Sequence, residues 1–479
     1  MLKTKLTDKQ IQLLVHIIGT TVLVMLVIYR SFNFLMAYDY KDYYQWARCI
    51  NLGMLPYKDF NMLQTPLSAY VEAAFFRINS SAIVMHLIPF SVSTFITLYF
   101  AVKTVKLRNP KAITSPLYVW AFVTIFVPNA LYNIMSLMFW AIALYIYFSY
   151  RKEQKIYKLV LIGLLMAVCF YTKQNIAAYA VGAFGIIFII GWVKISANKQ
   201  MIIKELTNLW VSFAIGIGVG IAIFYKTGNL SEFVEYTLFP AKDFTAYYTK
   251  DMFNFVFGII VLITLFFVGI FIGKRIKETD IGVCLSLGLL AAFPIINPTH
   301  LICSTLFMIM MVCVTTEKKR CLRFSIVVCF AATSVFSENY LVIKNGNVKD
   351  VVIAYENKEI VNINTGFQLD EDIGILEYLK DKDVSKYHIM DVMSGFYSIY
   401  FDRYDKYYDL LLEGNMGKKS FTDIVSETIN NEKGNYFIVT NSSYEDYKRK
   451  EWIKAINYIK DNCELEYVIS ETCSVYKIT

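Results

Sequence analysis

The chain has 479 residues, 56% hydrophobic and 18% charged, with a mean hydropathy of +0.44. A soluble globule of this length carries about a quarter charged residues, so that class is excluded, and 22 Gly, 9 Pro and a 16% aromatic share exclude a disordered or fibrous chain. The net charge of +8 is uneven: residues 340–479 hold 24 acids and 17 bases (net −7), and the other 339 residues hold 15 acids and 30 bases (net +15). The basic surplus sits in short clusters between apolar runs, which is a topology signal and not a nucleic-acid one.

After Lys3, Lys5 and Lys9 comes an apolar run over 11–35 with no small-residue cleavage site. It reads as a signal anchor that becomes the first membrane helix. Further apolar runs cover 81–102, 112–128, 130–150, 159–172, 176–193, 209–226, 253–273, 281–296, 300–316 and 323–341. The expected architecture is an α-helical polytopic membrane protein of about eleven spans over 1–341, followed by a smaller α/β domain over 342–479. With the N-terminus in the cytoplasm, every dense basic cluster falls on the cytoplasmic side: Lys103 to Lys111, Arg151 to Lys158, Lys194 to Lys204, Lys274 to Lys277 and Lys318 to Arg323. The segment 36–80, the turns near 129, 173 and 298, the loop 227–252 and the tail are then extracytoplasmic, in a multi-pass protein of the plasma membrane. Gly216 and Gly220 share one helix face and predict close helix packing.

In the tail, strands are expected at 387–392 and 436–440, a hairpin over 465–478, and helices at 369–380, 421–429 and 444–460. Gly414–Gly417 is too short for a phosphate loop. The nine cysteines include no CxxC, and most lie singly in apolar runs as small hydrophobes. Cys463 and Cys473 are the one pair whose location would allow a disulfide.

The first outer segment carries the chemistry. It reads Asp39-Tyr40-Lys41-Asp42-Tyr43, then Ala47-Arg48, then Gly53-x-x-Pro56-Tyr57-x-Asp59-Phe60, then Thr65-Pro66-Leu67. Asp39, Tyr43 and Ala47 recur at helical spacing. This pattern resembles the first outer loop of polytopic GT-C glycosyltransferases, nearest to the family 39-like group that includes protein mannosyltransferases and the lipid A aminoarabinose transferase. The resemblance implies transfer of a sugar from a polyprenyl-phosphate donor to an acceptor (glycan, lipid or protein) at the outer membrane face. It also implies that Asp39 is the general base that takes the acceptor proton, with inversion at the anomeric carbon. Asp42 is the second candidate base, and Asp59 is expected to organise its loop.

The leaving lipid phosphate needs a cation. Lys173 in the run Thr172-Lys173-Gln174-Asn175 lies at an outer turn, where a lysine is unusual, and a Lys-Gln-Asn turn resembles one in bacterial members of the group. The alternative is a lysine snorkelling from a helix end. Arg48 is a second phosphate candidate, with Gln174 and Asn175 beside Lys173; where relatives carry a lysine before the first-loop proline, this chain has Thr65. His300, after Pro298 in a tight outer turn, resembles a Pro-then-His feature of relatives and is a substrate candidate with Tyr43 and Tyr57, although a lone histidine at a helix start is more often a cap or core residue. His16 and His86 are expected to pack within spans.

No cofactor is required by these residues. A divalent cation bridging Asp39 or Asp42 to phosphate is compatible with them, but the four scattered His residues form no metal motif. The rival function is a lipid-linked glycan transporter or flippase, which would bury paired charges mid-membrane and show inverted repeats. A third is a non-catalytic envelope-assembly subunit.

Overall fold

The structure, a computed structural model, describes residues 7–36, 40–62, 64–127, 129–194, 199–237, 298–315, 340–344, 360–363, 369–391, 394–410, 416–440 and 450–479, with single residues at 256, 260, 263, 282 and 288. It is mostly helical, with a small C-terminal sheet. Helix α1 (Asp8–Phe32) opens on a capping box in which Thr7 Oγ1 accepts from the Gln10 N–H and Gln10 Oε1 accepts from the Thr7 N–H. The segment 36–80 holds α2 (Tyr40–Asn51) and α3 (Leu67–Phe76). One π turn, Ile83–Leu87, leads into α4 (Ile88–Arg108), and α5 (Ser115–Phe126), α6 (Leu131–Glu153), α7 (Tyr157–Thr172), α8 (Gln174–Lys194), α9 (Lys199–Thr227), α10 (Leu230–Thr237) and α11 (Pro298–Thr315) follow.

Among the described residues, four helical stretches are long and apolar enough to cross a membrane: Lys9–Phe32, Ile83–Arg108, Leu131–Glu153 and Gln200–Thr227. At about 1.5 Å per residue even the shortest reaches about 35 Å, more than a bilayer's hydrocarbon core. Helices α5 and α7 and the stretch Gln174–Ile187 of α8 are apolar but shorter, and they occupy positions expected for spans. The expected spans at 253–273, 281–296 and 323–341 fall almost wholly outside the described residues. Leu13, Met25 and Phe32 of α1, and Ile215, Val219 and Ile223 of α9, point away from the rest of the described chain. Such apolar faces are compatible with a lipid bilayer.

The interior is close-packed. A Cβ on Gly163 would come within 2.0 Å of Ser212 Oγ and 2.5 Å of the Leu209 carbonyl, and a Cβ on Gly216 within 2.4 Å of Ala167 Cβ. Glycine thus lets α7 and α9 touch, and Gly216 and Gly220 do share the packed face that their spacing predicts. Trp120 Nε1 donates to the Ile302 carbonyl at 3.0 Å, and the Trp140 and Phe307 rings lie 4.5 Å apart. These contacts seat α11 against α5 and α6.

The tail is α/β. Its sheet has the order β4 (Tyr387–Met390), β5 (Tyr436–Thr440), β7 (Cys473–Ile478), β6 (Cys463–Val468), with β4 and β5 parallel and the other pairs antiparallel. Side chains alternate between faces. Phe437 and Val439 pack with α14 (Phe421–Asn431) and α15 (Lys450–Asn462), while Ile389 and Ile438 pack with α12 (Leu369–Leu379). Cys463 pairs with Ile478 and Cys473 with Thr440, so the two cysteines start opposite ends of the hairpin, about 17 Å apart along the strand. That is too far for a disulfide.

A second sheet was not expected. Strand β1 (Asn33–Met36), directly after α1, pairs antiparallel with β2 (Tyr340–Lys344), which pairs with β3 (Ile360–Ile363). Tyr340 and Leu341 are therefore strand residues and not the end of a span, and β2 straddles the expected boundary at 341/342. The tail also rests on the segment 36–80. Gln45 Nε2 donates to the Arg403 carbonyl at 2.9 Å and to Asp409 Oδ2 at 3.0 Å, and Lys406 Nζ donates to the Lys58 carbonyl. Helix α13 (Ser394–Tyr400) brings Gly395 against the Lys41 stem.

Candidate functional site

Lys173 is the single non-helical residue between α7 and α8, with an extended backbone (φ −158°, ψ 106°). The polar run from Thr172 to Asn175 breaks two apolar helices there, and the Lys173 N–H caps α7 by donating to the Cys169 carbonyl at 2.8 Å. The side chain turns inward and is buried. Its Nζ donates to Asn133 Oδ1 at 2.5 Å, lies 3.2 Å from His300 Nε2, and sits 5.2 Å from the centre of the Tyr132 ring. Facing an ammonium, His300 Nε2 accepts, so the neutral ring carries its hydrogen on Nδ1.

Lysine and histidine, 127 residues apart in sequence, thus meet. Tyr132 and Asn133 belong to the first turn of α6, His300 to the first turn of α11, and Lys173 directly precedes α8. Three helix N-termini converge on one ammonium, each adding partial positive charge. Among the described residues no carboxylate forms an ion pair with Lys173. A buried cation is costly without an anion, and this arrangement suits an anionic ligand. Gln174 Nε2 donates to the Thr237 carbonyl at 3.3 Å and Asn175 Oδ1 accepts from the Ile176 N–H at 2.9 Å, so both flank Lys173 while bonding elsewhere.

Asp39 lies outside the described residues. Asp42 is buried and bonded by Lys41 Nζ at 2.8 Å. Tyr43 is buried and sets its ring 5.9 Å from that of Tyr132, edge to face, which brings α2 to the ring beneath Lys173. Thr65 makes a second link, donating to the Phe170 carbonyl at 2.7 Å.

Arg48 does not turn toward Lys173. Its guanidinium donates to the Arg403 carbonyl at 2.8 Å and to the Asp402 carbonyl, holding the tail. Tyr57 is fully buried, its hydroxyl donating to the Gln64 carbonyl at 2.7 Å and its ring packing on Phe233 and Tyr236. It adopts φ 70°, a left-handed conformation unfavourable for tyrosine. Asp59 organises this turn as expected, with Oδ2 accepting from the Leu55 N–H at 2.7 Å.

Four residues of the cluster were not read from the sequence. His86, expected only to pack, has Nδ1 2.7 Å from Glu72 Oε1 and Nε2 3.0 Å from the Asn129 carbonyl. Asn129 Oδ1 accepts from Asn133 Nδ2 at 2.7 Å, and Asn133 in turn holds Lys173. The only signals were Asn129 and Asn133, four apart in an apolar run, and single charges within LSAYVEAAFF and IVMHL.

In the tail, burial alone would lower the pKa of His388, but the hydrogen bonds it donates to Asp405 (2.7 Å) and Glu432 (2.9 Å) outweigh that and raise it to about 9. Burial pushes the Asp409 carboxyl up to about 7 against the pull of Arg403. Among the described residues no three His, Cys, Asp or Glu side chains are grouped to hold a metal ion. No protein-family model matches the chain, and comparison with curated proteins finds no match.

Proposed function

We propose that the chain is a membrane-embedded, inverting glycosyltransferase of the GT-C type, family 39-like, that moves a sugar from a polyprenyl phosphate to a cell-envelope acceptor at the outer face of the plasma membrane. The observation that carries this reading is the buried Lys173 ammonium, set with His300 among three helix N-termini and beside the first outer segment. In the reaction the acceptor hydroxyl oxygen bonds to the anomeric carbon as the bond to the phosphate oxygen breaks. Asp39 takes the hydroxyl proton. The polyprenyl phosphate leaves with an added negative charge, which Lys173 meets. The reading includes about eleven spans with the N-terminus in the cytoplasm. It is supported by the pairing of β1 with β2, which holds the outer end of α1 to the start of the tail.

The test supplies purified protein with a panel of polyprenyl-phosphate sugars and measures release of polyprenyl phosphate. Asp39→Asn in folded protein is expected to abolish release, and Lys173→Met to lower it by about ten-fold or more, the scale of one charged hydrogen bond. Full activity of Asp39→Asn removes the base assignment. No release from any donor, together with movement of a lipid-linked glycan across vesicles, favours the transporter reading.

A further inference from the structure

Glu72 and His86 form a buried pair that the transfer chemistry above does not use, with exposures of 2% and 6%. The two ring nitrogens of His86 have different partners. Nε2 faces the Asn129 carbonyl, which can only accept, so Nε2 carries a hydrogen. Nδ1 faces the Glu72 carboxyl at 2.7 Å, and one proton serves both groups, either as carboxylate with imidazolium or as carboxyl with neutral imidazole. The ring cannot turn. Tyr43 stacks on it (7° between planes, 6.0 Å), Phe90 stacks on it (20°, 5.7 Å), and Tyr40 abuts it edge to face at 5.2 Å.

The hydrogen bonds beyond His86 run in one direction. The Asn129 carbonyl is fixed by His86, and Asn129 Oδ1 accepts from Asn133 Nδ2. That contact aims the amide nitrogen of Asn133 at Asn129 and leaves its Oδ1 toward Lys173 Nζ, 2.5 Å away. If the Asn129 peptide turned, Asn133 would lose the partner that orients its amide. A carboxyl–imidazole pair buried here costs desolvation that apolar side chains would not, and its hydrogen bonds lead to the Lys173 ammonium.

We propose that Glu72 and His86 are positioning residues for an anion site: the Nε2–H of His86 locks Asn129, and the Asn129–Asn133 link presets Lys173 for the phosphate of a polyprenyl phosphate. This rests on the reading of Lys173 given above. The test uses the full chain in zwitterionic lipid nanodiscs and measures binding of unsugared polyprenyl phosphate. Lys173→Met is expected to weaken binding by about ten-fold or more, and His86→Phe, which keeps a packed ring and loses both bonds, by about ten-fold. Glu72→Gln can donate to Nδ1 and keep the Nε2–H form, so it is expected to stay within about two-fold of the wild type, whereas Glu72→Leu follows His86→Phe.

Unchanged binding in Lys173→Met overturns the anion site itself. Weakened binding in Lys173→Met with wild-type binding in folded His86→Phe and Glu72→Leu overturns the positioning role alone. Equal competition by inorganic phosphate overturns the lipid ligand. Nitrogen-15 NMR of histidine-labelled wild-type protein supplies a readout that needs no variant to fold: a protonated Nε2 on a ring hydrogen-bonded at both nitrogens is expected, and a bare Nε2 on His86 overturns the proposal.

Discussion

At His388 one imidazole meets two carboxylates. Its hydrogen bonds to Asp405 and Glu432 keep it cationic at neutral pH, and the charge of His388 holds both acids below the ordinary carboxylate range despite the burial of Asp405. The folded value of about 9 exceeds the unfolded value of 6.5. The stabilisation is therefore fully present below 6.5 and is lost as pH rises through about 9, with a size on the order of 3 kcal/mol. Hydrogen exchange in β4 and β5 is expected to accelerate over that pH window beyond the intrinsic chemical rate. In His388→Asn the exchange is faster already at pH 6 and its excess pH dependence is flattened. An unchanged profile in the variant would show that the triad does not stabilise the tail. The neighbouring Asp409 has the same sign over a lower range, because its raised carboxyl favours the folded state only while protonated.

At the scale of elements, the contact of α7 with α9 depends on small residues at particular places. Gly163 faces backbone, the Leu209 carbonyl, which cannot swing away, whereas a Cβ on Gly218 would meet nothing within 4 Å. Gly163→Ala is expected to destabilise by about 1–3 kcal/mol through overpacking, and Gly218→Ala to be neutral or slightly stabilising. Thermal unfolding of the two purified variants beside the wild type checks this, and equal midpoints would refute the close approach. The elements legible in the sequence were those with one strong period. Strands β4 and β5 and helices α12 and α14 fall where alternation or helical spacing put them, within about two residues. Helix α3 was not read, because LSAYVEAAFF is too short to span and too apolar for an outer loop. Strand β2 was absorbed into an apolar run, since YLVIK is apolar as either span or strand and only its pairing with β1 decides.

Over the whole molecule, part of the site was legible for the same reason. Lys173 and His300 each stood out as a lone ionisable residue at a break between apolar runs, and the fold brings them together. Glu72 and His86 did not, because each reads alone as one polar residue in an apolar stretch and only their contact gives it meaning. Topology also yields the most direct test of the architecture. Helix α1, about 36 Å of apolar residues from Lys9 to Phe32, passes directly into β1, and β1 is paired with β2 of the tail. The tail also holds Gln45 and Arg48 of α2. Exposed positions in the loop before α4 and in strand β6 are therefore expected on one side of the membrane, and the end of α6, three apolar helices (α4, α5 and α6) beyond that loop, on the other. In intact cells, a membrane-impermeant maleimide is expected to label Asn79→Cys and Glu464→Cys directly and Gln154→Cys only after permeabilisation, each above the background of the native cysteines, of which five of the six described are buried. Labelling of Asn79→Cys and Glu464→Cys from opposite sides would separate the tail from the first outer segment and would undo the shared face on which Lys173, His300 and the sugar donor are proposed to meet.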